Sequence, residues 1–219
     1  LEKKGLYDLS FDYDLRRAIM RLGPSGYPFE KYVGKILAMR GYDIKVNQII
    51  KGKCINHEVD VVAHLGQGHF LIECKFHSFP GTKSDVQVAL YTYARFLDIK
   101  EALEKDPVHQ KEDYQVWLIT NTKITRDSID YANCQGMKLL SWSYPVAENL
   151  KTLIIQTKLL PVTSLTSLSE KQLDALIGRG IITIADLETQ FQFQTLREII
   201  PDDQQAFIRS QIKQIKSVI

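Results

Sequence analysis

Three charged residues have the types and the spacing to do chemistry together: Asp60, Glu73 and Lys75. Side chains alternate between the two faces of a β-strand, so Glu73 and Lys75 point the same way if their segment is extended. A symmetric hairpin with its turn at residues 66–67 places Asp60 directly opposite Glu73. Residues paired in this way have Cβ atoms about 4.5–5.5 Å apart. We therefore predict two carboxylates on one face, close enough to share a divalent cation.

Phosphodiester hydrolysis is the reaction that this set suits. Carboxylate oxygens are ligands for Mg²⁺ or Mn²⁺, and the bound ion polarises a phosphate and lowers the pKa of water. Lys75, two residues beyond Glu73, can orient the attacking water or neutralise charge that develops on the phosphate. The alternative is a surface ion pair between Glu73 and Lys75, which stabilises a fold by under about 1 kcal/mol and does no chemistry.

A further acid, Glu30, belongs to a predicted helix that precedes the hairpin. Pro28 is a favoured residue in the first turn of a helix, and Gly41 is a favoured residue just beyond the last turn. Glu30 shares a helical stripe with Val33 and Leu37, so it lies beside the buried face. The residue types leave two alternatives for Glu30: a solvated edge residue, or another acid of the metal site.

Helices and strands alternate over the next part of the chain. Residues 84–104 have a helical pattern that places Gln87 and Tyr91 one turn apart on one face, where each is a candidate either for the site or for packing. The other predicted elements are a strand over residues 116–119, a helix over 125–132 and a strand over 138–142. Strands with helices on both sides predict an α/β sandwich.

After about residue 149 the strand signals fade and helix signals replace them. Ser169 and Gln172 have the pattern of a capping box. A terminal helix carries four isoleucines on one face: Ile208, Ile212, Ile215 and Ile219. Between them, Gly178-Arg179-Gly180 leaves three alternatives: a helix-hairpin-helix contact to a DNA phosphate, a packing hairpin, or a small protein-binding module. We predict three parts: a helical segment at 1–27, an α/β domain at 28–147 and a helical domain at 148–219.

The composition of the whole chain is that of an ordinary globular protein. It has 219 residues, 25% of them charged, and a net charge of +2, so a nucleic-acid-binding surface must be a local patch. Three cysteines are too few for a disulfide scaffold, and the sequence shows neither the apolar segment of a signal peptide nor a run long enough to span a membrane. These features predict a cytoplasmic protein with no membrane partner.

The histidines suggest a second kind of chemistry. Cys54-x-x-His57 and Cys74-x-x-His77 have the spacing of zinc ligands, and together they would make a zinc-stapled interaction domain. Residues three apart on a strand point to opposite faces, however, so Cys74 and His77 diverge if the strand continues. We favour substrate contacts instead: His57 at the edge of the acidic site, and His77 and Lys83 within reach of a phosphate.

The order of these residues resembles that of a known superfamily. A helical acid, then Asp60, then Glu73-Cys74-Lys75 is similar to the PD-(D/E)xK nucleases, and specifically to their Mrr-like restriction-endonuclease branch. Residues 118–122 and 136–142 resemble the closing half of Mrr-like domains, so the likeness covers about residues 28–145. One departure from the superfamily pattern is the absence of proline immediately before the aspartate.

The resemblance implies a fold, an activity and a set of roles. The fold is a restriction-endonuclease-like α/β/α sandwich with a small C-terminal helical domain, and the activity is cleavage of DNA by an endonuclease that depends on Mg²⁺ (or Mn²⁺), in restriction or in repair. By this likeness Glu30, Asp60 and Glu73 bind the metal and Lys75 is catalytic. Gln87 assists, because Gln87-x-x-x-Tyr91 resembles an extra motif of RecB-like and lambda-exonuclease-like members.

The implied partners are DNA and a second copy of the chain, because cutting both strands requires two active sites. Residues 15–30 resemble the junction in proteins where an ATP-cone domain precedes this nuclease, which implies an upstream ATP-binding regulatory domain. Two alternatives stay open: a catalytically inactive DNA-binding or sensing module of the same fold, and the zinc-stapled interaction domain. The presence of Asp60, Glu73 and Lys75 favours the active nuclease over both.

Overall fold

The structure, a computed structural model, describes residues 12–107 and 112–217. Its strands are β1 (Asp43–Lys51), β2 (Asn56–Leu65), β3 (Gly68–Lys75), β4 (Lys83–Ser84), β5 (Asp113–Thr120), β6 (Lys123–Ile124) and β7 (Lys138–Leu140). Its helices are α1 (residues 12–20), α2 (Tyr27–Ala38), α3 (Val86–Leu103), α4 (Arg126–Gln135), α5 (Leu150–Thr157), α6 (Glu170–Gly178), α7 (Ile184–Gln190) and α8 (Asp202–Lys216).

Five strands form one mixed sheet in the order β1-β2-β3-β5-β7. The first three are antiparallel neighbours, and β5 and β7 extend the sheet parallel to β3. Helix α3 connects β3 to β5, and α4 connects β5 to β7. Strands β4 and β6 pair in a small separate sheet. The C-terminal ends of β3 and β5 therefore lie at the same edge of the main sheet.

Helices cover both faces of this sheet. On one face α1, α2 and the C-terminal helices pack on Val61, Ala63, Phe70, Ile72, Cys74, Trp117 and Ile119. On the opposite face α3 and α4 pack on Val59, Val62, Leu71, Val116, Leu118 and Leu139. The predicted fold class, an α/β/α sandwich followed by helices, is confirmed.

The β2–β3 hairpin has the predicted register as far as the ladder extends, but the ladder ends before the predicted pair of Asp60 and Glu73 is reached. Leu65 pairs with Gly68 next to the turn, and Val61 pairs with Ile72 at the far end of the ladder. Strict alternation along β2 would put Val59 and Val61 on the same face, yet Val59 packs on the α3 side and Val61 on the α2 side. The alternation is interrupted between these two valines, beyond the last pair with β3.

Helix α2 forms where its flanking residues favour it. Pro28 stands in its first turn, and beyond its end Gly41 has a left-handed φ of 89°, a conformation that favours glycine. The helix buries Phe29, Tyr32, Val33, Ile36 and Leu37. Glu30 lies next to this stripe and is partly buried.

Helix α6 begins where the sequence predicts. Ser169 and Gln172 form the capping box of α6. Helix α8 buries Ile208 and Ile212, and Ile215 packs against the same core; Ile219 lies outside the described residues. The apolar face predicted for the terminal helix is therefore confirmed for these three isoleucines.

The C-terminal helices are joined to α2 by one buried hydrogen bond and one partly buried ion pair. Tyr32 donates its hydroxyl to the carbonyl of Leu159 at 2.6 Å, and Lys35 pairs with Asp186 at 2.8 Å. The apolar residues on both sides of these contacts form one continuous cluster. The three-part division of the chain, whose residues 1–11 lie outside the described part, stays a prediction. Within the described residues, every helix is too short or too polar to cross a membrane.

Candidate active site

Asp60 lies where strands β2 and β3 separate. Its Oδ2 accepts a hydrogen bond from the backbone N–H of Cys74 at 2.7 Å, so the carboxylate serves as the partner of that strand amide. The ladder between the strands ends at Val61 and Ile72. Asp60 is thereby held beside Glu73, whose pKa it raises by repulsion.

Glu73 has a partner that the sequence reasoning missed. Arg95 on α3 donates from Nη1 to Glu73 Oε2 at 2.5 Å, and the two side chains are only 14% and 18% exposed. The guanidinium carbon also lies 5.2 Å from the ring centroid of Tyr91. Every fourth residue along α3 faces the same side, and this stripe contains Gln87, Tyr91 and Arg95. Its spacing is the sequence signal that could have identified Arg95 as part of the site.

The pKa values of the three acids of the site are all raised. The pKa of Glu30 is raised from its ordinary value of 4.5 to about 7, mainly by burial and then by repulsion from Asp60, Glu58 and Glu73. The pKa values of Asp60 and Glu73 are also raised, chiefly by burial. Glu30 and Glu73 are thus close enough to Asp60 for its charge to disfavour theirs, and a cation among these acids would relieve the repulsion.

Glu73 and Lys75 open onto a cleft of about 390 Å³. The cleft is lined by Glu73, Lys75, His77, Lys83, Asp85, Gln87, Val88 and Tyr91. Lys75 is exposed, so its amine is accessible to a ligand. The structure therefore brings five predicted site residues to one cleft, with Asp60 and Glu30 as charged neighbours of Glu73.

His77 lines this cleft and is held in place by Asn121. The Asn121 side chain accepts from the backbone N–H of His77 at 2.8 Å and donates to its carbonyl at 2.7 Å. The ring Nε2 lies 3.1 Å from Ser84 Oγ. Burial, followed by the charge of Lys75, lowers the pKa of the ring below 6.5. The lowered pKa favours the neutral ring, which offers a ligand a hydrogen bond rather than a charge.

His57 does not reach the cleft. Its Nε2 lies 2.7 Å from Asp98 Oδ2 on α3, and its side chain is 9% exposed. Asp98 also accepts from the backbone N–H of Cys54 at 2.9 Å. These bonds, that of His57 first, hold the pKa of Asp98 at about 2. The expected place of His57 at the edge of the acidic site is not reproduced, because α3 supplies Asp98 as its partner at the β1–β2 turn.

No three His, Cys, Asp or Glu side chains of the described residues are placed to hold a metal ion as they stand. For the zinc alternative, Cys54 and His57 lie at the β1–β2 turn, whereas Cys74 is buried in the α2-side core. Among the carboxylates, Glu73 is engaged by Arg95. The donor set still suits a hard divalent cation, because it consists of carboxylate oxygens whose mutual repulsion such an ion relieves.

A mixed sheet between two helical layers, with an aspartate where one strand separates and Glu-x-Lys on the next, is the arrangement expected of the restriction-endonuclease-like fold. Residues 23–143 match the Mrr catalytic domain family, described as restriction endonuclease. The chain belongs to this family. The predicted resemblance to Mrr-like enzymes is confirmed, and the protein is a nuclease by class.

Two relatives share most of their length with this chain. An uncharacterised protein of Archaeoglobus fulgidus is 35% identical over 167 residues, which are 76% of this chain and 89% of the relative. The crystal structure of AF1548, a protein of unknown function, is 33% identical with a TM-score of 0.71, covering 87% of this chain and 98% of that one. The DNA modification-dependent restriction endonuclease AspBHI is more distant, at 15% identity and a TM-score of 0.43 over 78% of this chain and 40% of that one.

Proposed function

We propose that the protein is a metal-dependent DNA endonuclease that hydrolyses phosphodiester bonds with a water activated by Mg²⁺ or Mn²⁺. The observation that carries the proposal is the arrangement at the end of β3. Glu73 and Lys75 face one cleft, and Asp60 is bonded to the backbone amide between them. Two acids and a lysine in this relation supply both a metal-binding and a phosphate-binding function.

Asp60 and Glu73 are the proposed metal ligands, with Glu30 as a further acid. When bound, the cation polarises the phosphate and lowers the pKa of water. Burial first, and then repulsion from neighbouring acids, raises the pKa of each of these carboxyls, so negative charge at the site is unfavourable and a divalent ion compensates it. Glu73 exchanges its contact with Arg95 for the cation in this proposal.

Lys75 is the proposed catalytic cation. Its exposed amine lies on the same cleft as Glu73, where it orients the attacking water or neutralises charge on the phosphate. Gln87, in the first turn of α3, lines the same cleft and assists as a neutral hydrogen-bonding group. Because a neutral amide adds no charge, its role is to orient water or phosphate.

The DNA strand enters past His77 and Lys83 in this proposal. Both line the cleft, one as a neutral hydrogen-bonding ring and the other as an exposed lysine. Contacts of this kind position the phosphate backbone without reading sequence. A homodimer and an upstream ATP-binding domain stay predictions from the resemblance.

The direct test is cleavage of supercoiled and linear DNA with Mg²⁺ or Mn²⁺. Lys75→Ala and Asp60→Asn are expected to lower the cleavage rate by about 100-fold or more, because each removes a group that acts on the developing charge. Lys45→Ala is the matched control, since Lys45 is an exposed lysine on β1 and does not line the cleft. Its rate is expected to equal that of the wild type.

The outcomes separate the nuclease from its alternative. Metal-dependent cutting that both site variants abolish supports the assigned centre. A folded wild type that binds DNA yet cuts neither substrate with either metal contradicts the proposal and identifies a DNA-binding or sensing module.

A further inference from the structure

Both the backbone and the ring of His77 are held by residues on neighbouring elements. His77 lines the cleft together with Glu73 and Lys75. The buried side chain of Asn121, just beyond β5, bonds to the backbone N–H and to the carbonyl of His77. The ring Nε2 lies 3.1 Å from Oγ of Ser84 on β4. The orientation of the ring is therefore set before a substrate arrives.

Ser84 belongs to a buried chain of hydroxyl groups that leads away from the cleft. Ser84 is 1% exposed, and Thr120 and Thr122 are fully buried. Ser84 Oγ donates to Thr120 Oγ1 at 3.3 Å, and Thr120 Oγ1 lies 3.4 Å from Thr122 Oγ1. A serine hydroxyl has only one proton to donate. Because Ser84 gives its proton to Thr120, it accepts from His77, and Nε2 of the ring is the nitrogen that carries a hydrogen.

This direction of bonding selects one tautomer of the His77 ring. A neutral imidazole with its hydrogen on Nε2 has a free lone pair on Nδ1. Within the described residues Nδ1 makes no hydrogen bond and is not a buried atom, so it is accessible to a ligand. A phosphate oxygen is also an acceptor and is repelled by this lone pair. The partner that Nδ1 suits is a donor, and water beside a phosphate is such a donor.

The charges around the ring favour its neutral, proton-accepting form. Burial first, and then the charge of Lys75 on β3, lowers the pKa of His77, while Asp85 at the start of α3 opposes this effect. Lys83 on β4 and Glu73 line the same cleft, and the residues at the end of β5 contribute only uncharged side chains. A general base must have its lone pair free at the working pH. A histidine with a lowered pKa meets this requirement.

We propose that His77 is the general base of the cleft and takes a proton from the attacking water at Nδ1, with Ser84 as the positioning residue that holds the required tautomer. This inference rests on the proposed nuclease function and adds a catalytic residue to it, while Lys83 keeps the contact to the phosphate backbone. In the step, an O–H bond of the water breaks and its proton moves to Nδ1, while the water oxygen forms a bond to phosphorus. The bond from phosphorus to the leaving sugar oxygen breaks, and that oxygen takes a proton from solvent. The imidazolium then releases its proton to solvent.

The tautomer is tested on the metal-free protein by proton–nitrogen correlation NMR of the histidine rings, at a pH above the pKa of His77. The signal of His77 is identified by its absence in His77→Gln. The wild type is expected to show the pattern of a ring with its hydrogen on Nε2, and Ser84→Ala is expected to lose this preference. A wild-type ring with its hydrogen on Nδ1 overturns the inference, because the accessible nitrogen then has no lone pair.

The role in catalysis is tested by single-turnover cleavage as a function of pH and by DNA binding in EDTA. His77→Gln keeps an N–H donor for Ser84 but has no basic lone pair. It is expected to slow cleavage by about 10²- to 10⁴-fold, to lose the rise in rate that accompanies deprotonation of the ring, and to bind DNA as the wild type does. His64→Gln is the matched control, since His64 on β2 does not line the cleft, and its rate is expected to stay that of the wild type.

The outcomes distinguish a base from a phosphate contact. A slower rate with an altered pH profile and unchanged DNA affinity supports the inference. A loss of DNA affinity that accounts for the whole loss of rate overturns it and assigns His77 to the phosphate backbone. A wild-type rate and pH profile in His77→Gln also overturns it and leaves the nuclease function in place, whereas a folded wild type that cuts no DNA removes both.

Discussion

Arg95 and Glu73 form an ion pair between α3 and β3 inside the proposed active site, with 2.5 Å between Nη1 and Oε2. Both side chains are mostly buried, so neither charge is well solvated. The guanidinium lowers the pKa of both Glu73 and Asp60, although burial outweighs this effect in each. Arg95 thus partly neutralises the negative charge of Asp60 and Glu73. In the proposed mechanism a divalent cation neutralises the same charge.

Replacing Arg95 with Gln is expected to destabilise the metal-free protein by about 3 kcal/mol, because the Glu73 carboxylate is left buried without a partner. Addition of Mn²⁺ is expected to recover part of this loss, since the cation takes over the same carboxylate. Urea unfolding in EDTA and in Mn²⁺ measures both effects. Arg126→Gln is the control, because its pair with Asp130 is exposed and contributes under about 0.5 kcal/mol. Equal losses for the two variants would contradict the prediction.

The raised pKa of Glu30 makes the stability of the metal-free protein depend on pH. Its folded-state pKa of about 7 lies above the ordinary value of 4.5, so the folded state binds the proton more tightly than the unfolded state. The free energy of unfolding is therefore expected to fall as pH rises from about 4.5 to about 7. Glu30→Gln is expected to flatten this decline in unfolding experiments in EDTA. An unchanged slope in the variant would show that Glu30 is not the titrating group.

His57 is expected to act in folding rather than in cleavage. His57→Ala removes the hydrogen bond to Asp98, so the midpoint of urea unfolding is expected to fall. The cleavage rate per folded molecule is expected to stay that of the wild type, because the His57 ring does not line the cleft. The comparison variant is His77→Ala, whose ring does line the cleft and whose loss is expected to slow cleavage. A His57→Ala protein that cleaves slowly but is as stable as the wild type would show that His57 acts in the active site.

The C-terminal helices are expected to unfold together with the α/β core. Tyr32→Phe leaves the buried carbonyl of Leu159 without its partner, which is expected to cost about 1–2 kcal/mol of stability. A single urea transition is expected for both proteins, because one apolar cluster spans α2 and the C-terminal helices. Tyr13→Phe is the control and is expected to leave the free energy of unfolding unchanged, because this tyrosine is 68% exposed. Two separate transitions would show instead that residues 148–219 fold as an independent domain.

Much of the fold could be predicted from residues that are close together in the sequence. The turn at residues 66–67 and the alternating apolar residues set the register of the hairpin, because a slip of one residue would move every buried side chain to the opposite face. Pro28 and Gly41 bounded α2, and Ser169 with Gln172 marked the start of α6. These features depend on neighbours a few residues away in the chain, and sequence patterns report such neighbours directly.

The surroundings of the charged groups were decided only by the tertiary structure. Glu73 and Arg95 are 22 residues apart in sequence, and His57 and Asp98 are 41 apart. Both partners lie on α3, whose position on the sheet is set by the packing of a whole layer. The sequence by itself therefore determined the family, the hairpin and the Glu-x-Lys pattern. The fold decided that Arg95 pairs with Glu73 and that His57 bonds to Asp98. The physical reason is that an ion pair or an exposed face depends on distances between elements, and no local periodicity records those distances.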